Sequence, residues 1–249
     1  MFGSKLNYES HFYLKGRELS GVDSIDIGYQ NAANVVNPLG YKKGVTTIGG
    51  PTSQTVSLSR SLLFIDPLLD YTGANHIVTG SFNYDNNASY GFNSGYLTSY
   101  SVNCAVGSIP KINTSLVVYD EMRSGVNASG ALTQAIYIPS QGSITATCDN
   151  TTTNRVVGFD YALEVAKKPY YTVGSQTPVE VKYISPIKYT ASVQLEVDDV
   201  FLESGYTFLT TGKEEKSVSF NINGRDGTTL QSLTIPKASL VGEQLSASA

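Results

Sequence analysis

Short segments of the chain alternate between apolar and polar residues, a pattern typical of β-strands with one buried face. In residues 22–27, for example, apolar Ile25 and Ile27 alternate with polar neighbours. The same alternation recurs in residues 55–59, 100–103, 112–119, 143–147, 157–165, 189–197 and 217–222. Gly, Pro, Asn or Ser bound these segments. The pattern predicts an all-β chain of many short strands, arranged as a sandwich or a barrel.

Helix is predicted at only two places. In residues 61–71, Asp66 can cap a short helix that has Pro67 at its first position. A second short turn is predicted near residues 198–203. The composition agrees with this scarcity: the chain has 17 Tyr and 23 Gly but no Trp. Tyr, Val, Ile and Thr favour pleated, half-buried surfaces, and Gly and Asn favour turns.

A small-residue, Gly-rich segment at residues 124–133 lies near the middle of the 249-residue chain, and we interpret it as a linker. It predicts a first domain over residues 1–125 and a second over residues 126–249. A chain of this length accommodates one large or two ordinary domains.

The two predicted domains share landmarks at an offset of about 135 residues. Gly40 matches Gly174, and Pro51 matches Pro186, each pair in the same order along its half. An acidic, apolar segment follows in both halves. These landmarks predict a tandem duplication, although two unrelated β domains with similar turns would produce some of the same signals.

Charge argues against a nucleic-acid-binding surface. The net charge is −4, only 15% of the residues are charged, and no run of Lys or Arg exceeds two residues.

The longest apolar runs are too short for a transmembrane helix, and residues 1–10 do not have the pattern of a secretory signal. Cys104 and Cys148 could form one disulfide, but we interpret them as small, half-buried apolar residues.

The sequence offers no catalytic, cofactor-binding or metal-binding set of residues. His11 and His76 are the two histidines, and their spacing matches no metal motif. No Walker A loop, GxGxxG loop or GxSxG elbow is present. Adjacent carboxylates such as Asp198 and Asp199 do not converge on a strand and are interpreted as solvated turns. The chain is therefore predicted not to be an enzyme, and its tyrosines are interpreted as protein-contact residues.

Three segments resemble tail-tube proteins of tailed bacteriophages: FYLKGRELSGVDSIDIGYQ, residues 95–120 (GYLTSYSVNCAVGSIPKINTSLVVYD) and residues 153–197. The resemblance implies two tandem β-sandwich or half-barrel domains, each with a short helix. It also implies a structural virion protein, assembled in the host cytoplasm, whose trimers form pseudo-hexameric rings. Such rings stack into the tube that conducts DNA.

The resemblance also implies partners: further copies of the chain, and tail proteins such as the tape measure, terminator or tail-tip proteins. DNA is expected only as transiting cargo, and no membrane or cofactor is expected. Because a basic wall would hold phosphates, a neutral or weakly acidic lumen is expected. The candidate lumen-facing residues are Ser57, Ser59, Ser192, Gln194 and Glu196.

Stacked rings need loops that reach neighbouring subunits, and residues 29–51 and 167–186 occupy matching positions in the two repeats. The candidate contact residues in these predicted loops are Tyr29, Pro38, Tyr41, Lys42, Lys43, Lys167, Lys168, Tyr170 and Tyr171. One departure is that the first repeat has a further strand after the segment comparable with the end of the second. The missing strand would come from a neighbour or from residues 1–10, or the second repeat is shorter.

Other functions compete with the tube subunit. A neck, adaptor or distal-tail ring would use the same fold. A carbohydrate-binding or adhesin module would also be Tyr-rich and all-β, but the lack of Trp and of clustered aromatic residues weighs against it. A capsid decoration protein would fit the composition and would bind a shell without stacking on itself.

Overall fold

The structure is a computed structural model that describes residues 11–36, 39–40, 46–72, 76–85, 88–120, 122–124, 137, 139–148, 151–196, 215–239 and 241–242. The predicted all-β fold is confirmed in these residues. The second predicted helical turn, near residues 198–203, lies outside them. The strands are β1 (His11–Leu14), β2 (Arg17–Glu18), β3 (Val22–Val36), β4 (Thr46–Ser61), β5 (Val78–Asp85), β6 (Ala88–Ala105), β7 (Lys111–Val118), β8 (Arg123–Ser124), β9 (Pro139–Cys148), β10 (Thr151–Thr153), β11 (Val156–Tyr170), β12 (Glu180–Leu195), β13 (Lys216–Gly224) and β14 (Thr229–Ala238).

The strands form two antiparallel sheets. The smaller sheet has the order β10-β9-β13-β14, and the larger contains the path β2-β1-β5-β6-β7-β4-β3. Strand β6 changes its neighbour along its length: residues 88–95 pair with β5, and residues 99–105 pair with β11. Strand β12 then pairs with β11, so β3-β4-β7-β6-β11-β12 is a continuous six-stranded sheet.

The strand arrangement repeats along the chain. Strands β3 and β11 have 15 residues each, β4 and β12 have 16 each, and both pairs begin 134 residues apart. A short hairpin precedes each pair: β1–β2 before β3 and β9–β10 before β11. The two hairpins have the same register, since Leu14 faces Arg17 in the first and Cys148 faces Thr151 in the second. This spacing agrees with the offset read from the sequence landmarks. The domain boundary at residues 125/126 stays a prediction, since most of the predicted linker lies outside the described residues.

The prediction of long loops over residues 29–51 and 167–186 is wrong for most of these residues. Strand β3 extends to Val36 and β4 begins at Thr46, while β11 extends to Tyr170 and β12 begins at Glu180. Extended pairing satisfies backbone hydrogen bonds even where the side chains are polar and little of either face is buried. Each repeat therefore carries a long β-hairpin.

The first predicted helix is a short 3-10 helix, Pro67–Tyr71, with the predicted cap. Asp66 Oδ1 accepts a hydrogen bond from the Leu68 N–H at 3.0 Å. The other carboxylate oxygen, Oδ2, accepts one from Arg60 Nη2 at 2.7 Å and one from the Tyr100 hydroxyl at 2.6 Å. All three side chains are buried. This network therefore fixes the helix to β4 and β6 through satisfied polar contacts.

Apolar side chains from both sheets share one core. At its centre, the rings of Phe159 on β11 and Phe220 on β13 stack with their centroids 5.2 Å apart. Stacked aromatic pairs add about 0.5–1.5 kcal/mol to the effect of area burial. Both cysteines are free thiols, with Cys104 buried and Cys148 half-buried. The described part of the chain contains no helical segment with the length and hydrophobicity of a membrane span.

Candidate functional site

The six-stranded sheet has one polar and one apolar face. Directly opposed residues of antiparallel strands share a face, so the register defines rows of side chains across the sheet. We call the side that carries three such rows the polar face. Its rows, in strand order, are Asp26, Ser57, Ser115, Ser99, Glu164 and Lys188; Ser24, Ser59, Asn113, Ser101, Ala162 and Thr190; and, from β4 to β12, Ser61, Lys111, Asn103, Asp160 and Ser192.

The opposite face of these strands contributes to the core. Between the first two polar rows, that face carries Leu58, Tyr100 and Leu163, which are at most 2% exposed. The alternation of polar and apolar rows sets the orientation of the whole sheet. A shift of one residue in any strand would bury its polar row, so the register is strongly specified.

Side chains of the polar face bind one another across strands. Lys111 Nζ donates to Asp23 Oδ2 at 2.6 Å and to Ser61 Oγ at 2.9 Å, which ties β7 to β3 and β4. Asp160 accepts hydrogen bonds from Ser192 Oγ, at 3.2 Å, and from the Asn103 amide. The latter bond crosses the junction between β6 and β11. These contacts link strands of both repeats through side chains of the polar face.

The three rows of the polar face, together with Asp23 beside them, carry more negative than positive charge. The exposed carboxylates there are Asp23, Asp26, Asp160 and Glu164, and the exposed lysines are Lys111 and Lys188. No group of three or more His, Cys, Asp or Glu side chains within the described ranges could hold a metal ion. A surface of hydroxyls, amides and a small excess of carboxylates is wettable and does not attract phosphates.

Four of the five predicted lumen residues lie together on this face. Ser57 and Ser59 come from β4, and Ser192 and Gln194 come from β12. Ser57 Oγ lies 3.3 Å from the Ser115 hydroxyl. The fifth, Glu196, is exposed just after β12, and its N–H donates to the Arg155 carbonyl at 3.0 Å. Whether this face lines a lumen stays a prediction.

The charged pairs that cross strands, such as Asp23 with Lys111, are not evident from the sequence. The two residues are 88 positions apart, and only the pairing of β4 with both β3 and β7 brings them together. Each residue occupies a polar position in its own strand, and this position predicts the face on which its side chain lies. Their partnership requires the strand order.

The described contact candidates lie on or beside the long hairpins. Tyr29 on β3 is 62% exposed. Lys167, Lys168 and Tyr170 are strand residues of β11, and Tyr171 follows it, so only Tyr171 belongs to a loop. Their predicted role in subunit contacts stays a prediction. The remaining candidates, Pro38, Tyr41, Lys42 and Lys43, lie outside the described residues.

The end of the β11–β12 hairpin is organised around tyrosines and lysines. Lys168 Nζ and Lys182 Nζ each lie 5.4 Å from the centre of the Tyr170 ring. Nearby on β11, burial lowers the pKa of Lys167, whose amine has no hydrogen-bond partner among the described residues. Val181 on β12 packs with Tyr96 and Tyr119, which connects the hairpin to β6 and to the end of β7.

Comparison with known proteins assigns no family to this arrangement. No protein-family model matches the chain, and no curated protein matches it at a significant level.

Proposed function

We propose that this protein is a structural virion protein, a tail-tube subunit that assembles as trimeric, pseudo-hexameric rings. The observation that carries the proposal is the pairing of β11 with β6. Strand β11 begins the second long hairpin, yet it extends the sheet of the first repeat through residues 158–164. The two repeats are thus joined head to tail in one sheet.

A head-to-tail arrangement of repeats favours a closed ring. At one end of the six-stranded sheet, β3 pairs only with β4 within the described ranges, and at the other end β12 pairs only with β11. Long unpaired edges are sites for pairing with another chain. A contact between different surfaces of identical subunits closes into a ring when its rotation is a simple fraction of a turn. Three chains with two repeats each would form six similar positions.

The polar face supports a role as the wall of a DNA channel. It is continuous over both repeats, several of its side chains hydrogen-bond across strands, and its three rows together with Asp23 carry four exposed carboxylates against two lysines. Such a wall would let DNA pass without holding its phosphates. In the assembled tail the partners would be further copies of the chain and tape measure, terminator or tail-tip proteins.

Electron microscopy of the purified protein in negative stain, combined with native mass spectrometry, tests this proposal. Rings with a sixfold outline, three times the mass of the chain and stacking into tubes are expected. Rings that do not stack would instead favour a neck or distal-tail ring built on the same fold. A monomer at all concentrations would contradict the assembly.

Two matched substitutions sharpen the test. Ile27 on the free edge of β3 is 44% exposed, and Ile65, which lies outside the strands, is 59% exposed. Ile27→Asp places a charge on the edge that is expected to pair, so rings should be lost while the circular dichroism spectrum is retained. Ile65→Asp introduces the same charge away from that edge and should leave the rings intact.

A further inference from the structure

The free edge of β3 is equivalent to an edge that is covered in the second repeat. Strands β3 and β11 begin 134 residues apart and have the same length. Residues 158–164 of β11 pair with residues 99–105 of β6, whereas the equivalent residues 24–30 of β3 have no strand on that side among the described residues. The first repeat therefore lacks a strand that the second repeat receives.

Burial shows the consequence of the missing strand. Tyr161 and Leu163 on β11 are 3% and 2% exposed; both belong to the shared core, and β6 flanks them on one side. Their counterparts on β3 are Ile27 and Tyr29, which are 44% and 62% exposed. An apolar row that is buried in one repeat is thus open to solvent in the other, which marks β3 as an incomplete edge.

The repeat also identifies which segment corresponds to the covering part of β6. Leu14 faces Gly80, and its counterpart Cys148 faces Val218, so Gly80 and Val218 are equivalent. Gly80 faces Phe92, and Val218 faces Ile235, so Phe92 and Ile235 are also equivalent. Strand β14 therefore corresponds to β6 at an offset of 143 residues. Counting the same 143 residues on from residues 99–105 along the sequence reaches residues 242–248, of which 243–248 lie outside the described residues.

We propose that residues 242–248 of one copy pair antiparallel with residues 24–30 of β3 in another copy. The inference rests on the proposed ring assembly and names the strand that makes its contact. The register of β11 with β6 places Leu245 opposite Ile27 and Ala247 opposite Ile25. Aliphatic residues would then meet on the apolar face, as Val102 meets Tyr161 within the chain.

The partner is another copy because of the order of the repeats. Within one chain, β11 receives its neighbour from the repeat that precedes it, and no repeat precedes β3 in the described sheet. The same connection in a ring must come from the second repeat of a neighbouring chain.

One position departs from the pattern, because Glu243 stands where β6 has Tyr100, and it would lie opposite Tyr29.

Cross-linking between two single-cysteine additions tests the register. Ile27→Cys and Leu245→Cys are prepared separately in a Cys148→Ser background, mixed, assembled and oxidised. Opposed residues of antiparallel strands have Cα atoms about 4.5–5.5 Å apart, within the range of a disulfide. A band of dimer mass on a non-reducing gel is expected. Gln244→Cys replaces Leu245→Cys in the control, and it should cross-link far less because its side chain lies on the other face.

The outcomes separate the strand pairing from the ring. If the wild-type protein forms rings but the mixed variants do not cross-link, the pairing is wrong and the ring proposal stands. If Ile27→Cys and Leu245→Cys combined in one chain cross-link without a dimer, the segment pairs within its own chain and the inference is overturned. Cross-linked dimers without rings would support the pairing and contradict the ring. A protein that neither assembles nor cross-links overturns both.

Truncation provides an independent measurement. Removal of residues 240–249 deletes the proposed strand and leaves all fourteen described strands. Rings should be lost, while the thermal unfolding midpoint of the monomer should remain near that of the wild-type monomer. Rings of normal mass from the truncated protein would contradict the pairing.

Discussion

Asp66 is the buried carboxylate on which the first helix depends. It accepts hydrogen bonds from Arg60 and Tyr100, and the side chains of Arg60 and Asp66 are at most 1% exposed. A buried ion pair is not by itself a large source of stability, but loss of one partner leaves an uncompensated charge. Burial and the Asp66 carboxylate also raise the pKa of Tyr100 well above its usual range, so its hydroxyl stays a donor.

The substitution Asp66→Asn should therefore destabilise the protein by about 3–5 kcal/mol, because it leaves the Arg60 guanidinium buried without an anion. Urea unfolding followed by circular dichroism measures the effect. Asp70→Asn changes an exposed carboxylate in the same helix and should alter the free energy of unfolding by less than about 0.5 kcal/mol. Equal effects of the two substitutions would show that the network is not important for stability.

Tyr161 makes stability depend on pH in the alkaline range. Burial, together with the nearby Tyr189, raises the pKa of Tyr161 to about 12. In the unfolded chain a tyrosine has a pKa of about 10, so between about pH 10 and pH 12 the unfolded state loses a proton that the folded state keeps. The contribution is fully present below about pH 10 and is lost as the pH approaches 12.

The free energy of unfolding is therefore expected to fall between about pH 10 and pH 12, and Tyr161→Phe should make that decrease smaller. Urea unfolding at pH 9 and pH 11 for both proteins measures the difference. The absorbance at 295 nm should also show one tyrosine fewer titrating at the alkaline end. An unchanged pH dependence in Tyr161→Phe would contradict the assignment.

Phe92 on β6 packs closely against glycines. The ring of Phe92 is 1% exposed and lies against two glycines, Gly80 on β5 and Gly95 on β6. A Cβ at Gly95 would lie 2.6 Å from Phe92 Cε2 and 3.1 Å from the Val78 carbonyl oxygen. This contact lies just before the point where β6 exchanges β5 for β11, so the glycine permits close packing at the transition.

Gly95→Ala should destabilise the protein by about 1–3 kcal/mol, because the added methyl group overpacks a buried ring. Gly28→Ala on β3 is the control: its Cβ would have no atom closer than 4.0 Å, and an alanine costs less backbone entropy than a glycine in a strand. Denaturant unfolding should give a stability for Gly28→Ala equal to or slightly above that of the wild type. A neutral Gly95→Ala would show that Phe92 relocates at little cost.

The long hairpins show why alternation in the sequence underestimates the length of these strands. In β12, only Val181 is buried, and most of the sixteen residues are exposed. Alternation marks a strand only where one face packs against a core. The ends of β11 and β12 are instead held by the backbone ladder, which is independent of side-chain polarity. Such strands are recognised from pairing and not from pattern.

At the level of the assembled protein, the polar face predicts weak interaction with DNA. Ser192→Lys combined with Gln194→Lys adds two positive charges to this face. Binding of short duplex DNA to assembled rings is measured by fluorescence anisotropy. The double variant should bind the DNA at about 50 mM salt and release it as the salt concentration rises, whereas the wild type should not bind it. Gln176→Lys with Thr177→Lys adds the same charge to the exposed turn between β11 and β12. Equal DNA binding by both variants would contradict a lumen-facing position for Ser192.

Local sequence determined the fold class, the helix cap at Asp66 and the faces to which Ser57, Ser59, Ser192 and Gln194 belong. Each of these follows from neighbours within a few residues, through side-chain alternation or capping chemistry. The spacing of Gly and Pro also indicated the repeat: Gly40 and Gly174 lie in turns 134 residues apart, and Pro51 and Pro186 lie within β4 and β12.

The order of the strands, by contrast, does not follow from local pattern. The pairing of β11 with β6, the contact of Asp23 with Lys111 and the free edge of β3 all join segments that are tens of residues apart. Many antiparallel orders are compatible with the same alternation, because every strand with one apolar face can pair with any other. The choice among them depends on how the shared core is packed, and that is a property of the whole chain.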